Sequence, residues 1–440
     1  MVNILGIKED YLRRWNLNIN SKQNLSWSDF DLCELANKFG TPVHIINESI
    51  IFNNLRRFIS LWNKEFSDIK IFYWIKANNT PFVIKLLERE GHGIAISSED
   101  ELKYILKLKV DMNKVIVGGI GKTHDFLRLS LIKGIKTIII ESIRELIDLE
   151  KICIRYNRKV EIILRIHVNR FPLSFTQFGL TESEIRDAMS IIKDSVYLLL
   201  KGFHFNIGTS IFHVKLYNKV IKKVTNYLKI FKNYVSNVPI IDIGGGFPSW
   251  STRFYTLTEQ ILYKTLNYQP KIKAKKNNYD AEMVNKIAKC LRIALNKNGI
   301  KDIILYLEPG RYLVETAQIT LTKVLDVKDR KFVNFAITEL GVCNNAYPMN
   351  YEYHHIFLVN DLIRRRKRWY RIVGRVLSTV DILHRKFLLP ELKQGDILAL
   401  MDTGAYFIAF SNRFSFTPPK VIIIDSQHNI KREKFFKFCN

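Results

Sequence analysis

Along the chain, apolar residues fall into two alternating rhythms. Short apolar runs lie near 69–76, 93–97, 114–118, 136–141, 160–166, 198–206, 238–243 and 303–308. Between them apolar residues recur every three to four positions, first over 50–66. The runs suit buried strands, and the intervening stretches suit amphipathic helices. Eight strands alternating with helices over about 240 residues predict an α/β fold, a (β/α)8 barrel of the TIM type, with its chemistry at the C-terminal strand ends. Those ends are Lys76, Ser97, Gly118, Ser142, Arg165, Asn206, Gly244 to Gly246 and Glu308. An open doubly wound sheet is the weaker reading, because no G-x-G-x-x-G follows the first strand.

The pattern changes on both sides of this block. Residues 1–41 read as a lead-in with one helix over 29–39, closed by Gly40 and Thr41-Pro42, and a strand follows over 43–46. After Arg311, residues 314–323 continue as a helix or mixed segment. Short β-rich runs then follow at 333–337, 354–359, 370–377, 397–401, 406–410 and 420–424. Such spacing predicts a second, all-β barrel domain that the 43–46 strand joins. The expected division is 1–47 for the lead-in and joining strand, 48–317 for the α/β barrel and 318–440 for the β domain.

Composition removes several function classes. At 440 residues and 47% hydrophobic content the chain can bury two domain cores. No apolar run reaches the length of a membrane span, and residues 1–15 carry charges with no secretory core, so the expectation is a soluble, cytoplasmic protein without a membrane partner. The five cysteines, Cys33, Cys153, Cys290, Cys343 and Cys439, are scattered and form no C-x-x-C pair, which predicts reduced thiols and no metal site. A net charge of +26, from 68 basic and 42 acidic residues, raises the question of nucleic acid. The lysines are spread evenly, with no basic stripe interleaved with aromatics, so no nucleic-acid partner is expected. The basic run at 364–368 reads as a solvated hairpin tip and that at 271–276 as an exposed loop, both favouring an anionic substrate or a protein partner.

Three strand ends carry the chemistry. Pro239-Ile240-Ile241 runs into Asp242-Ile243-Gly244-Gly245-Gly246-Phe247-Pro248, so a strand ends in three glycines whose bare N–H groups suit a phosphate. Lys76 ends Phe72-Tyr73-Trp74-Ile75, an apolar approach that desolvates the ammonium and prepares a Schiff-base amine. Leu307-Glu308-Pro309-Gly310-Arg311 sets a carboxylate and a guanidinium across a Pro-Gly turn. Glu308 is placed to keep a pyridine nitrogen protonated, and Arg311 to reach a phosphate or a substrate carboxylate. A lysine facing a phosphate cradle across one barrel mouth is what pyridoxal 5'-phosphate requires.

These stretches are where the chain resembles the fold-type III, pyridoxal-phosphate-dependent decarboxylases of the ornithine, diaminopimelate and arginine group, and it is nearest in wording to the diaminopimelate branch. The resemblance covers residues 31–424 and also rests on Gly91-His92-Gly93, Gln177-Phe178-Gly179, Gly202-Phe203-His204-Phe205, Gly395-Asp396 and Asp402 to Tyr406, all in family order. It implies an alanine racemase-like barrel, a β domain built from both chain ends, an amino acid substrate, and a homodimer with shared active sites. It also implies that Lys76 is the catalytic Schiff-base residue and that Arg165, Asn206, Gly244, Gly245, Gly246, Glu308, Arg311 and Tyr406 hold the cofactor, Tyr406 from the neighbouring subunit. Arg311, Tyr351, Ser378 and Tyr406 would meet the substrate.

The chain departs from that family in four places. Asn206 stands where a histidine covers the ring face, with His204 a substitute on the same strand. Ala95 replaces an acid. Leu377 replaces the cysteine that returns a proton to Cα, and Tyr347 replaces an arginine that grips a substrate carboxylate. With Ser378 in place of an acid, neither a bare distal carboxylate nor a bare distal amine finds its partner. Two function classes follow. One is a working decarboxylase for a changed substrate, such as a conjugated diamino acid of siderophore or secondary metabolism. The other is a cofactor-binding relative with impaired turnover, acting as a regulatory or scaffold protein. A racemase- or transaminase-like side activity is a third outcome of poor Cα protonation.

Overall fold

The computed structural model describes residues 9–169, 176–211, 214–249, 253–266, 279–364 and 366–434. The basic run 271–276 and Arg365 lie outside the described residues. The chain divides into two compact units, one from residues 55–248 and 277–312, the other from residues up to 54, 249–276 and 313–434.

The first unit is a closed barrel of eight parallel strands. In order they are Ile69–Trp74, Gly93–Ile96, Val115–Val117, Thr137–Ile140, Val160–Arg165, Leu198–His204, Ile240–Asp242 and Ile304–Leu307, each where the apolar runs place it. The last pairs with the first, Leu305 opposite Ile69, which closes the ring. Phe72, Trp74, Ala95, Ile116, Ile139, Ile163, Ile240 and Tyr306 fill the interior. Large and small residues alternate there: Trp74 lies opposite Ala95 in register, and a Cβ on Gly118 would come 3.0 Å from the Trp74 ring. The small side chain of Ala95 therefore leaves room for the indole of Trp74.

An ion pair ties helix Glu48–Trp62 to helix Tyr279–Lys297. Arg57 donates to both oxygens of Asp280 at 2.7 Å, and the Tyr312 hydroxyl donates to the same carboxylate at 2.7 Å. Burial alone would raise the Asp280 pKa, but these donors outweigh it and hold the group below its ordinary value. Its stabilising effect is therefore complete above pH about 4 and fades as pH falls through the lower folded value. Asp280→Asn should cost about 1–2 kcal/mol at pH 7. The gap from wild type should close in chemical denaturation as pH falls through the lowered folded value.

The second unit is mostly β. Val43–Asn47 is central, antiparallel to Gln318–Asp329 and parallel to Lys420–Ile424, so the expected joining strand does join. The segment over 314–323 is mixed, a short helical stretch ending at Ala317 followed by the twelve-residue strand Gln318–Asp329. The strand's first half is buried between neighbours on both edges, so it lacks the period-two signature. Several expectations are corrected. Residues 382–390 form a further strand, whereas 406–410 are turn, with Tyr406 at φ +71°. Helix Leu32–Phe39 starts later than expected because Asp31 caps it, accepting from the Cys33 and Glu34 N–H groups at 2.7 and 3.1 Å. The lead-in also holds helix Glu9–Trp15 and a three-stranded sheet. The basic run at 364–368 is not a freely solvated tip. Arg364 bonds Asp361 and Asp396 at 2.7 and 2.6 Å, and Arg368 reaches Asp329 at 3.1 Å.

Candidate active site

Seven strand ends supply the barrel mouth. Lys76 follows Ile69–Trp74 on a turn closed by the Ala77 N–H to the Trp74 carbonyl at 3.0 Å. Its Nζ lies 4.4 Å from the centre of the Trp74 ring. The residue keeps surface open to solvent, yet its amine sits deep enough that desolvation lowers its pKa. Glu308, Glu101 and Glu141 oppose that shift and Arg165 adds to it. The result is an amine more often neutral, hence nucleophilic, than an ordinary lysine.

Glu308 follows Ile304–Leu307 and is anchored by its N–H to the Gly244 carbonyl at 3.0 Å. Its side chain is 1% exposed, and neither carboxylate oxygen has a hydrogen-bond partner. Gly310 packs against the lysine turn, where a Cβ would come 3.0 Å from the Ala77 Cβ, and Arg311 is buried at the start of the next helical turn.

Gly244 and Gly246 have φ of +65° and +79°, and a Cβ on Gly245 would come 2.6 Å from the Glu308 carbonyl oxygen. A Cβ on Gly246 would overlap the Gly208 carbonyl, and the Ile211 N–H donates to the Gly246 carbonyl at 3.0 Å. The three glycines are thus a backbone layer between residues 205–208 and Glu308, with no room for side chains. Asn206 packs its Cβ against Gly244 and accepts from the Gly208 N–H at 2.9 Å, so its amide oxygen is spent on the loop.

Arg165 ends its strand in an ion pair with Glu141 and lies 4.7 Å over the Phe178 ring. Glu141 also accepts from the Gly179 N–H at 3.0 Å. It was missed by one position, since the residue after it, Ser142, caps a helix by accepting from the Glu145 N–H at 3.3 Å. Ser97 likewise serves a local turn, its N–H and hydroxyl both bonded to Glu101 at 2.6 and 3.0 Å. The His204 Nε2 lies 3.6 Å from the Glu308 carboxylate, beside Asp242. A buried carboxylate without a hydrogen bond, a glycine cradle and a depressed lysine amine fit pyridoxal phosphate.

The other sequence-predicted residues belong to the β unit. Tyr351 stacks on Phe254 at 5.9 Å, and Tyr347 lies 6.0 Å from Tyr351 and 5.0 Å from Phe410. Tyr406 is 6.1 Å from the same Phe410. Leu377 is fully exposed on the turn before Ser378.

Residues 52–315 match the family model of the pyridoxal-dependent decarboxylases, pyridoxal binding domain. The chain belongs to this family. Its cofactor is therefore pyridoxal phosphate and its class that of a carboxy-lyase. Among curated relatives, the diaminopimelate decarboxylase of Methanothermobacter thermautotrophicus is 26% identical over 429 residues, covering 95% of each chain. That of Methanocaldococcus jannaschii is 28% identical over 407 residues, 88% of this chain and 86% of the other. The crystal structure of the M. jannaschii decarboxylase superposes with a TM-score of 0.81 over 96% of this chain and 95% of that one at 23% identity, which shows the shared fold. Among the described residues no helix of this decarboxylase is long and apolar enough to cross a membrane.

Proposed function

We propose that this chain decarboxylates a diamino acid of the diaminopimelate, lysine or ornithine type, modified or conjugated at its distal end, as in siderophore or secondary metabolism. The observation that carries the reading is the barrel mouth, where the Lys76 amine, the buried Glu308 carboxylate and the Gly244 to Gly246 layer belong to neighbouring strand ends. Bound pyridoxal phosphate supplies an electron sink for the pair left on Cα when CO2 departs. Lys76 anchors the cofactor, Glu308 holds a proton at its ring nitrogen, and the Gly245 and Gly246 amides with Arg311 bind its phosphate, the Gly244 N–H being taken by Asp242. Arg165, paired with Glu141, and Asn206 would also hold the cofactor.

Support for a modified distal end comes from the β unit, where Tyr347 stands in place of a carboxylate-binding arginine and continues into Tyr351, Phe254 and Phe410. An aromatic series welcomes an uncharged extension and leaves a bare carboxylate unpaired. Tyr351 and Ser378 are assigned to the substrate, and the reading includes a cytoplasmic homodimer in which Tyr406 of one copy reaches the cofactor of the other. Release of CO2 from free and acyl- or citryl-conjugated diamino acids tests this. Turnover confined to free diaminopimelate would refute the modified end, and none with any substrate would favour the regulatory or scaffold reading.

The exposed Leu377 is what favours that second reading, since leucine has no proton to give. The thiol beside this loop is Cys343, whose N–H donates to Asp381 at 3.0 Å while Asp381 also accepts from the Val376 N–H at 3.1 Å. Burial, then the Asp381 charge, raises the Cys343 pKa, so the thiol keeps its proton at neutral pH. Leu377→Cys should raise kcat about tenfold or more, because a positioned general acid contributes about 10² to 10⁴. An unchanged kcat would assign the proton to another group, and loss of turnover in Cys343→Ser would then identify it.

A further inference from the structure

We propose that His204 and Asp242 form with Glu308 a closed proton-sharing group in which Asp242 is the neutral acid, Glu308 the anion, and His204 the positioning residue that keeps Glu308 ionised toward the cofactor. The inference rests on the reading of Glu308 as the partner of the pyridine nitrogen.

The geometry comes from three neighbouring strands. His204 and Asp242 are register partners on Leu198–His204 and Ile240–Asp242, and Glu308 follows the next strand, Ile304–Leu307. The three side chains are 2%, 0% and 1% exposed, and one ligating atom from each lies within 4.8 Å of the other two. Both imidazole nitrogens, Asp242 Oδ2 and both Glu308 oxygens have no hydrogen-bond partner. Five buried polar atoms without hydrogen bonds, brought this close together, demand an electrostatic account.

Two carboxylates this close cannot both ionise away from water. The surroundings decide which one does. Asp242 has one donor, the Gly244 N–H at 2.9 Å on Oδ1, and burial followed by the Glu308 charge drives its pKa well up. Burial presses Glu308 the same way, but His204 at 3.6 Å, then Trp74 and Lys76, hold its pKa down. The proton therefore belongs on Asp242 and the charge on Glu308. Other charges facing the group are Arg165, which opposes the rise at Asp242, and Glu101 and Glu141, which act on Lys76. None of these lies between His204 and Glu308 in the register of the sheet.

A carboxylate that keeps its charge holds a proton on the pyridine nitrogen, whereas a neutral one competes for it. The experiment loads the full-length protein with ¹⁵N-labelled pyridoxal phosphate and records the ring-nitrogen signal from pH 6 to 9, with melting curves as a check on folding. Wild type should show a protonated nitrogen throughout. His204→Gln should move the signal toward the unprotonated position and lower kcat on the order of tenfold, the equivalent of one pKa unit. Asp242→Asn, which copies the neutral acid, should leave the signal where wild type has it. An unmoved signal in His204→Gln, or an Asp242→Asn signal that moves as far, overturns the proposal. Glu308→Gln separates the two levels: if it leaves the nitrogen protonated, the assignment of Glu308 to the ring fails; if it alone moves the signal, only the role of His204 does.

Discussion

Lys76→Ala should lower decarboxylation on the order of 10³-fold and leave a protein without the visible absorbance of the bound cofactor. The size of the effect follows from where the amine sits. It leaves the first barrel strand over the Trp74 ring at 4.4 Å, next to the turn that carries Arg311. The Lys122 amine, on the third strand's exit loop, is bound to Glu145 at 2.7 Å and cannot stand in. Stability should move the other way. Because desolvation depresses the Lys76 pKa, the folded state binds fewer protons there than the unfolded chain, and the lysine destabilises the fold at pH below its unfolded pKa. The apo variant should therefore melt no lower than apo wild type at pH 7. A variant that loses colour and also melts much lower would mean that Lys76 is structural. A variant that keeps its colour would remove Lys76 from the site.

Gly246→Ala should weaken cofactor retention about 10- to 100-fold, read by equilibrium titration of the apo protein, since each 1.4 kcal/mol is tenfold in affinity. Two costs coincide at this position. A φ of +79° costs an L-residue about 1–2 kcal/mol, and the new methyl would overlap the Gly208 carbonyl, pushing apart the layers that shape the cradle. Gly134→Ala separates them. That glycine has φ +87° with nothing within 4 Å of its missing Cβ, so it carries the strain without the collision and should cost stability but no affinity. Equal affinity losses in both variants would show that the Gly246 effect is general destabilisation.

Much of this was readable from local chemistry. All eight barrel strands, the glycine nest, Lys76 and the Glu308 turn stand where apolar periodicity and turn residues put them. Errors fall where a segment's surroundings override its local pattern. Residues 406–410 look like a strand although Tyr406 adopts φ +71° and the stretch is turn.

The alternation of strands and helices, and the residue types at strand ends, are properties of neighbours in the chain, so a barrel and its cofactor chemistry can be read from the order of residues. Barrel closure decides the rest, because it brings together groups from separate strands. Arg165 meets Glu141, Trp74 fills the room beside Ala95, and His204, Asp242 and Glu308 converge as one buried cluster. Which of two buried acids keeps its proton depends on distances of a few ångströms between those strands, and no spacing along the chain encodes them.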